Sequence, residues 1–222
     1  MFRNVLLTRI LTAFALPAAA LAFIPGAAFA EEAAGVLGRA SSAMGAGDLK
    51  TIRYAGEGTG FSFGQAFHPG TAWPKITVHS QIKTINYDTA SMRDEITLSR
   101  AEPKGGGGYP PVAQQRNDQF VSGDFAWNQA ATGPAPGPRF VTDRAHQLWI
   151  TPHGVIKAAI KNKATLKWQT QGGKSLAAVS FTEPGKLAAT AFINEDFLVE
   201  RVESRLPDPV LGETTAVTSY SD

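Results

Sequence analysis

The sequence predicts an α+β protein: a curved antiparallel half-barrel sheet of about nine strands, with one helix before it and a helical pair inserted near its middle. Three observations favour this class. Segments rich in β-branched and aromatic residues recur through most of the chain, and short turns rich in glycine, proline, asparagine or aspartate separate them. Helical periodicity is confined to two stretches. The short connections favour antiparallel neighbours, because parallel strands require long crossovers.

Residues 1–30, MFRNVLLTRILTAFALPAAALAFIPGAAFA, have the order of a secretory signal peptide. Arg3 and Arg9 come first, an apolar run over residues 10–24 follows, and a Pro-Gly breaker and an Ala-Phe-Ala site end the segment. The apolar run is shorter than the ~20 residues that span a bilayer. We therefore predict cleavage before Glu31, no membrane anchor after cleavage, and a periplasmic or secreted location.

Residues 31–222 are predicted to form a single domain, long enough to bury an apolar core without crosslinks. The chain has no cysteine, so neither disulfides nor a lipidated cysteine is expected. It carries 21 basic and 19 acidic residues, and removing Arg3 and Arg9 with the leader makes the two numbers equal. No nucleic-acid partner is expected, since a protein that binds nucleic acid usually carries a basic patch.

The first helix is predicted within residues 31–50, where apolar residues recur at helical spacing before two glycines: Val36, Leu37, Ala40, Met44, then Gly45 and Gly47. Strands are predicted at 51–63, 75–88, 92–101 and 119–129. Residues 101–118 contain four consecutive glycines and several prolines, which predicts a surface loop. That loop is either a tolerated insertion or a flap over a cavity. Residues 130–139 are predicted as a second loop.

The helical pair is predicted at residues 140–150 and 152–163. Thr151 stands before Pro152, which is the order of an N-cap followed by a first helical residue, so a new helix should begin there. A meander of five strands follows, at residues 165–171, 174–183, 186–195, 197–206 and 214–220.

Three phrases give the chain a resemblance to known proteins: TIRYAGEGTG at the first strand, DRAHQLWITPHGVIKAA in the helical pair, and FLVERVESRLPDPVLGETTAVTSYSD at the end. With the leader and the first helix, they resemble the amino-terminal region of exported metallo-β-lactamase-fold hydrolases. That region precedes the zinc domain and is similar in layout to the half-barrel of LolA/LppX-type lipoprotein carriers. The resemblance implies a LolA-like fold without the zinc domain, and a chain that is either a fragment or a stand-alone first domain.

The zinc site of those hydrolases requires an H-x-H-x-D-H signature, which this chain lacks. Its four histidines are dispersed: His68, His79, His146 and His153. No G-x-S-x-G elbow is present, and the glycines of GEGTG lack the lysine and helix of a phosphate loop. We interpret those glycines as positions that permit bends or bulges. We therefore assign no catalytic residue, no metal ligand and no cofactor, and favour a protein that is not an enzyme.

Aromatic residues are numerous enough to line the concave side of a curved sheet. They either fill a closed core or line a cavity for an apolar ligand, and the sequence leaves both alternatives open. The residues predicted for such a cavity are Trp73, Trp127, Trp149, Val155, Ile156 and Trp168.

Two functions follow as expectations. The first is an exported accessory domain that positions substrate or packs on a metallo-hydrolase domain in a longer chain. The second is a stand-alone periplasmic carrier or binder of lipid or other apolar ligands. An exposed edge at the last strand would favour the first function, and a hollow half-barrel would favour the second.

Overall fold

The computed structural model of the chain describes residues 25–105, 108–183, 187–208 and 212–221. The helices within them are α1 (Pro25–Ala43), α2 (Val141–Trp149) and α3 (Pro152–Lys161), and a 3₁₀ turn at Pro138–Phe140 precedes α2. The strands are β1 (Thr51–Phe61), β2 (Lys75–Asn86), β3 (Ser91–Glu102), β4 (Gln115–Ser122), β5 (Phe125–Ala130), β6 (Gly133–Pro136), β7 (Thr165–Gln171), β8 (Lys174–Thr182), β9 (Ala188–Ile193), β10 (Val199–Asp208) and β11 (Gly212–Ser219).

The strands form two antiparallel sheets. Sheet A has six strands in the order β1-β2-β3-β4-β5-β6, and sheet B has five in the order β11-β10-β9-β8-β7. Every neighbour in a sheet is also a neighbour in sequence, as short hairpin connections require. The predicted antiparallel α+β class is therefore confirmed.

The two sheets depart from the predicted single sheet of about nine strands. The strand predicted at 119–129 is a hairpin, because Gly123 adopts a φ of +53° at the turn and the chain reverses there. Residues 133–136 were predicted as loop, but they pair with β5 and form an edge strand of the sheet. Prolines are tolerated there because an edge strand has a neighbour on one side only, so their missing N–H donors need not pair with a second strand. The predicted loop at 101–118 also ends earlier, since β4 begins at Gln115.

The helical pair is confirmed, and so is its junction. The Thr151 hydroxyl accepts a hydrogen bond from the Gly154 amide at 3.2 Å, and Pro152 takes the first helical position. Helix α1 already includes Pro25, the first described residue, so it extends further toward the amino terminus than the helix predicted within residues 31–50. The predicted cleavage bond before Glu31 thus lies inside α1. Residues 1–24 of the predicted leader fall outside the described residues.

The core has two main parts, one for each sheet. α1 and α3 pack on sheet B around the buried side chains of Val36, Ile156, Val179 and Ile193. α2 packs on sheet A through Leu148, which lies against Ile85, Met92 and Val121. Trp149 contacts both parts. The junction between α2 and α3 therefore lies where the two sheets approach each other.

Candidate functional site

A cleft of about 500 Å³ lies beside β1, at the junction of α2 and α3. Residues 54–59 of β1 all line the cleft. Successive residues of a strand point to opposite faces of the sheet, so the cleft must follow the open edge of β1 to contact them all. The lining residues are Tyr54, Ala55, Gly56, Glu57, Gly58, Thr59, Val78, Gln81, Lys83, Thr151, Pro152 and Tyr220.

A row of alternating glycines shapes the cleft. Gly56, Gly58 and Gly60 have the same parity on β1 as Ile52 and Tyr54, which pack against the core of sheet A. A Cβ atom added at Gly56 or Gly58 would meet nothing within 4 Å, and neither residue has a positive φ. Neither backbone conformation nor crowding therefore requires glycine at these two positions. The effect of the two glycines is to leave space beside the strand.

An irregularity in the sheet lies opposite the same glycines, but its extra residue is on β2 and not in the glycine row. The β1–β2 register shifts between Gly56 and Gly58, and β2 carries an extra residue between Val78 and Ser80. Such bulges increase the local twist of a sheet. The glycine row therefore lies where the sheet wall of the cleft is more strongly twisted.

A charge-balanced cluster lies on the sheet side of the cleft. The Lys83 ammonium is 3.3 Å from a carboxylate oxygen of Asp94, and the Gln81 amide donates to both carboxylate oxygens at 3.0 and 3.2 Å. Asp94 is buried. The cluster offers polar atoms to a ligand, while the charges of Lys83 and Asp94 offset each other.

Hydroxyl groups occupy the helix side of the cleft. The Tyr54 hydroxyl lies 3.0 Å from Nδ1 of His153, the Tyr87 hydroxyl lies 3.0 Å from the Thr151 hydroxyl, and Tyr220 donates to the Ile150 carbonyl at 3.3 Å. These contacts hold β1, the α2–α3 junction and the end of sheet B together.

Burial moves the pKa values of these groups further toward their uncharged forms. Desolvation raises the pKa of Tyr54, and it raises the pKa of Tyr220 to about 12. Desolvation also lowers the pKa of His153, although a hydrogen bond to the backbone of Met44 offsets part of the effect. The helix side of the cleft therefore presents neutral polar groups.

The residues predicted for a cavity do not line this cleft. Val155 and Ile156 are completely buried in the core of sheet B, and Trp149 lies partly buried against the same core. The four tryptophans are not brought together. Trp73 packs edge-on against Phe63, Trp127 stacks on Phe120 with parallel rings 5.1 Å apart, and Trp168 is 53% exposed and donates to Glu32.

The tyrosines of the cleft were not predicted from the sequence, and the glycines were predicted only to permit bends or bulges. A usable signal was the alternation in GEGTG, since glycine at every second strand position clears one face. Tyr54 and Tyr220 gave no comparable signal, because they lie at opposite ends of the chain and only the fold brings them to one cleft.

A buried polar triad lies away from the cleft. Nε2 of His146 contacts the Ser204 hydroxyl, and its Nδ1 lies 3.9 Å from a carboxylate oxygen of Glu183. These are the residue types of a hydrolytic triad. However, His146 is completely buried and Ser204 is 2% exposed, so a substrate carbonyl has no access to the hydroxyl. The triad instead connects α2 to β10 of sheet B.

A second depression, of about 410 Å³, lies between α1 and α3 and is lined mainly by small and aliphatic side chains. Lys163 is its one charged lining residue. It lacks the convergent hydroxyl and amide groups that fix the orientation of a bound molecule. The cleft beside β1 is therefore the better candidate site.

Among the described residues, no group of three or more histidine, aspartate or glutamate side chains is arranged to hold a metal ion. None of the described helices combines the length and apolar character needed to cross a membrane. Comparisons of the chain with protein-family models, curated proteins and solved structures find no match.

Proposed function

We propose that this chain is an exported, non-catalytic binding protein that holds an apolar or amphiphilic small molecule, such as an acyl chain, in the cleft beside β1. The single observation that carries the proposal is the space left beside Gly56 and Gly58, since no side chain of the described residues fills it. The volume of about 500 Å³ lies within the range of about 300–1,000 Å³ typical of small-molecule sites.

The electrostatics of the cleft favour such a ligand over an inorganic anion. The lining tyrosines are neutral, Lys83 is balanced by Asp94, and Glu57 is the remaining charged residue of the lining. An inorganic anion would gain little there, whereas an apolar chain would gain from leaving water. The neutral hydroxyls supply hydrogen bonds for a polar group at one end of the ligand.

The layout also supports a carrier of the LolA type, as the resemblance implies. Two antiparallel sheets with helices against their inner faces are compatible with an incomplete barrel, and β1 and β11 are the free edges at its opening. The periplasmic or secreted location that the leader predicts would be consistent with this role.

The test combines native mass spectrometry with a matched pair of variants. Protein recovered from an exporting bacterium should carry an apolar adduct that is released on unfolding, and the emptied protein should bind a fluorescent fatty acid at one equivalent. Gly58→Leu should fold and weaken this binding at least about tenfold, because its side chain occupies the cleft. Gln169→Leu, which places the same side chain on exposed strand β7, should bind as the wild type does. Equal binding by all three proteins would exclude the cleft as the site.

The free edge of β11 favours a second candidate, the accessory domain of a longer metallo-hydrolase. β11 pairs with β10 on one side, and no strand of the described residues pairs with the other side. An edge of this kind accepts a further strand. The mass of the native polypeptide in its source cells would decide: a product much longer than 222 residues supports the accessory domain, and one of this length or shorter contradicts it.

A further inference from the structure

Exposed aromatic side chains are concentrated at one end of sheet A. Phe61 ends β1, three more lie in the connection from β1 to β2, and one lies in the connection from β3 to β4. We name these five residues the aromatic end: Phe61 (61% exposed), Phe63 (52%), Phe67 (39%), Trp73 (43%) and Tyr109 (51%). Soluble monomers rarely expose large apolar patches without a partner.

Contacts within the β1–β2 connection, and contacts from Arg100 of β3 to both connections, hold the aromatic end in place. The Ser62 amide donates to the Pro74 carbonyl at 2.8 Å, and the rings of Phe63 and Trp73 meet edge to face. The guanidinium of buried Arg100 lies 5.1 Å from the Phe67 ring, and the Arg100 amide donates to the Pro111 carbonyl at 2.8 Å. The rings are therefore presented by a braced surface.

The charges at this end are mainly positive. The sequence has no aspartate or glutamate from residue 58 to 87 or from 103 to 117. Glu102, the last residue of β3, lies opposite Lys75 in the β2–β3 pair. Lys75 and Lys104 form no ion pair with any described residue. Aromatic rings flanked by unpaired lysines suit an anionic lipid surface, where rings enter the headgroup region and ammonium groups meet phosphates.

We infer that the aromatic end is a docking surface for an anionic lipid bilayer. It is continuous with the cleft, because Thr59 lines the cleft and Phe61 follows two residues later on the same strand. A bound bilayer would therefore lie next to the cleft opening, where an acyl ligand could transfer. The docking itself does not depend on the proposed function, since it requires only the exposed rings and lysines.

The experiment uses vesicles of phosphatidylcholine with phosphatidylglycerol, some carrying brominated acyl chains that quench nearby tryptophan. Wild-type fluorescence should be quenched, and the quenching should fall sharply in Trp73→Phe, because the other three tryptophans lie elsewhere. Phe61→Ser with Phe63→Ser should weaken vesicle binding at least about tenfold. Lys75→Gln should weaken it about fivefold, and omitting phosphatidylglycerol should weaken it further.

Phe125→Ser is the matched control. Phe125 is 75% exposed but follows the turn after Ser122, at the opposite end of sheet A. Its loss should leave vesicle binding unchanged. The inference is overturned if Trp73 is not quenched, if Phe125→Ser weakens binding as much as the double variant, or if the aromatic end proves to be buried in a dimer. Loss of vesicle binding with intact fatty-acid binding would separate this inference from the proposed function, and Gly58→Leu should show the reverse.

Discussion

Removing the guanidinium of Arg144 should destabilise the fold more than removing any exposed charge. Arg144 lies on α2 and is buried against sheet A, where one nitrogen donates to the carbonyls of Phe120 and Trp127 at 3.1 and 2.8 Å. Its second nitrogen donates to the side-chain oxygen of Asn128 at 2.6 Å. Arg144→Met keeps most of the apolar stem but leaves these acceptors without their donor.

The expected loss follows from this geometry. A buried carbonyl left without a donor costs about 1–3 kcal/mol, while the partly exposed site of Asn128 can be satisfied by water. Burial removes water from the Arg144 guanidinium and thereby lowers its pKa. Removing the charge avoids this desolvation cost and so offsets part of the destabilisation. The net destabilisation should be about 2–3 kcal/mol, which corresponds to a decrease in Tm of about 5–10 °C for a domain of this size.

Urea unfolding followed by circular dichroism measures this difference. Arg139→Met is the control, because Arg139 contacts the same Phe140 ring but is exposed, and it should lose less than about 0.5 kcal/mol. If Arg144→Met were as stable as Arg139→Met, the hydrogen bonds would merely offset the desolvation of the guanidinium. The reasoning that α2 is anchored to sheet A through Arg144 would then be refuted.

Two further predictions concern the α2–α3 junction. Gly154→Ala should lower the free energy of unfolding in urea by about 2–3 kcal/mol, because the added Cβ would lie 2.5 Å from the Leu148 carbonyl oxygen. The control is Gly38→Ala on α1, where the added Cβ meets nothing within 4 Å and should raise the free energy of unfolding by up to about 1 kcal/mol. Equal effects of the two substitutions would contradict the crowding at Gly154. Burial lowers the pKa of His153 below its usual 6.5, so the unfolded chain takes up a proton first and stability should fall as the pH drops through 6.5. His153→Gln should reduce that fall in urea midpoints compared across pH 6.5, and an unchanged pH dependence would refute the assignment.

Local chemistry made much of the fold predictable. Thr151-Pro152 marked the start of α3, and Gly172-Gly173 marked the turn between β7 and β8, where both glycines have positive φ. The division into two sheets was not predictable in the same way. It depends on whether an edge strand of one sheet pairs with an edge strand of the other, which is a tertiary contact that leaves no local pattern in the sequence.

The candidate site was less predictable than the fold. Four tryptophans and two aliphatic residues were predicted to line a cavity. Of these, Val155 and Ile156 fill the core, while Trp73 and Trp168 are substantially exposed. Apolar character alone does not distinguish a core residue from a lining residue, because both leave water on folding. The cleft is instead defined by the side chains that are missing at Gly56 and Gly58.

The open edge of β1 limits which ligands the cleft can hold. Backbone N–H and C=O groups along that edge have no strand partner among the described residues, so water must satisfy them when the cleft is empty. A plain hydrocarbon packed against the edge would displace this water and leave the groups unpaired, at a cost of about 1–3 kcal/mol for each. A ligand with an amide or hydroxyl beside its acyl chain would instead hydrogen-bond the edge while its chain lies against the glycine face. The geometry therefore favours amphiphiles over hydrocarbons, because only they satisfy both the strand edge and the glycine row.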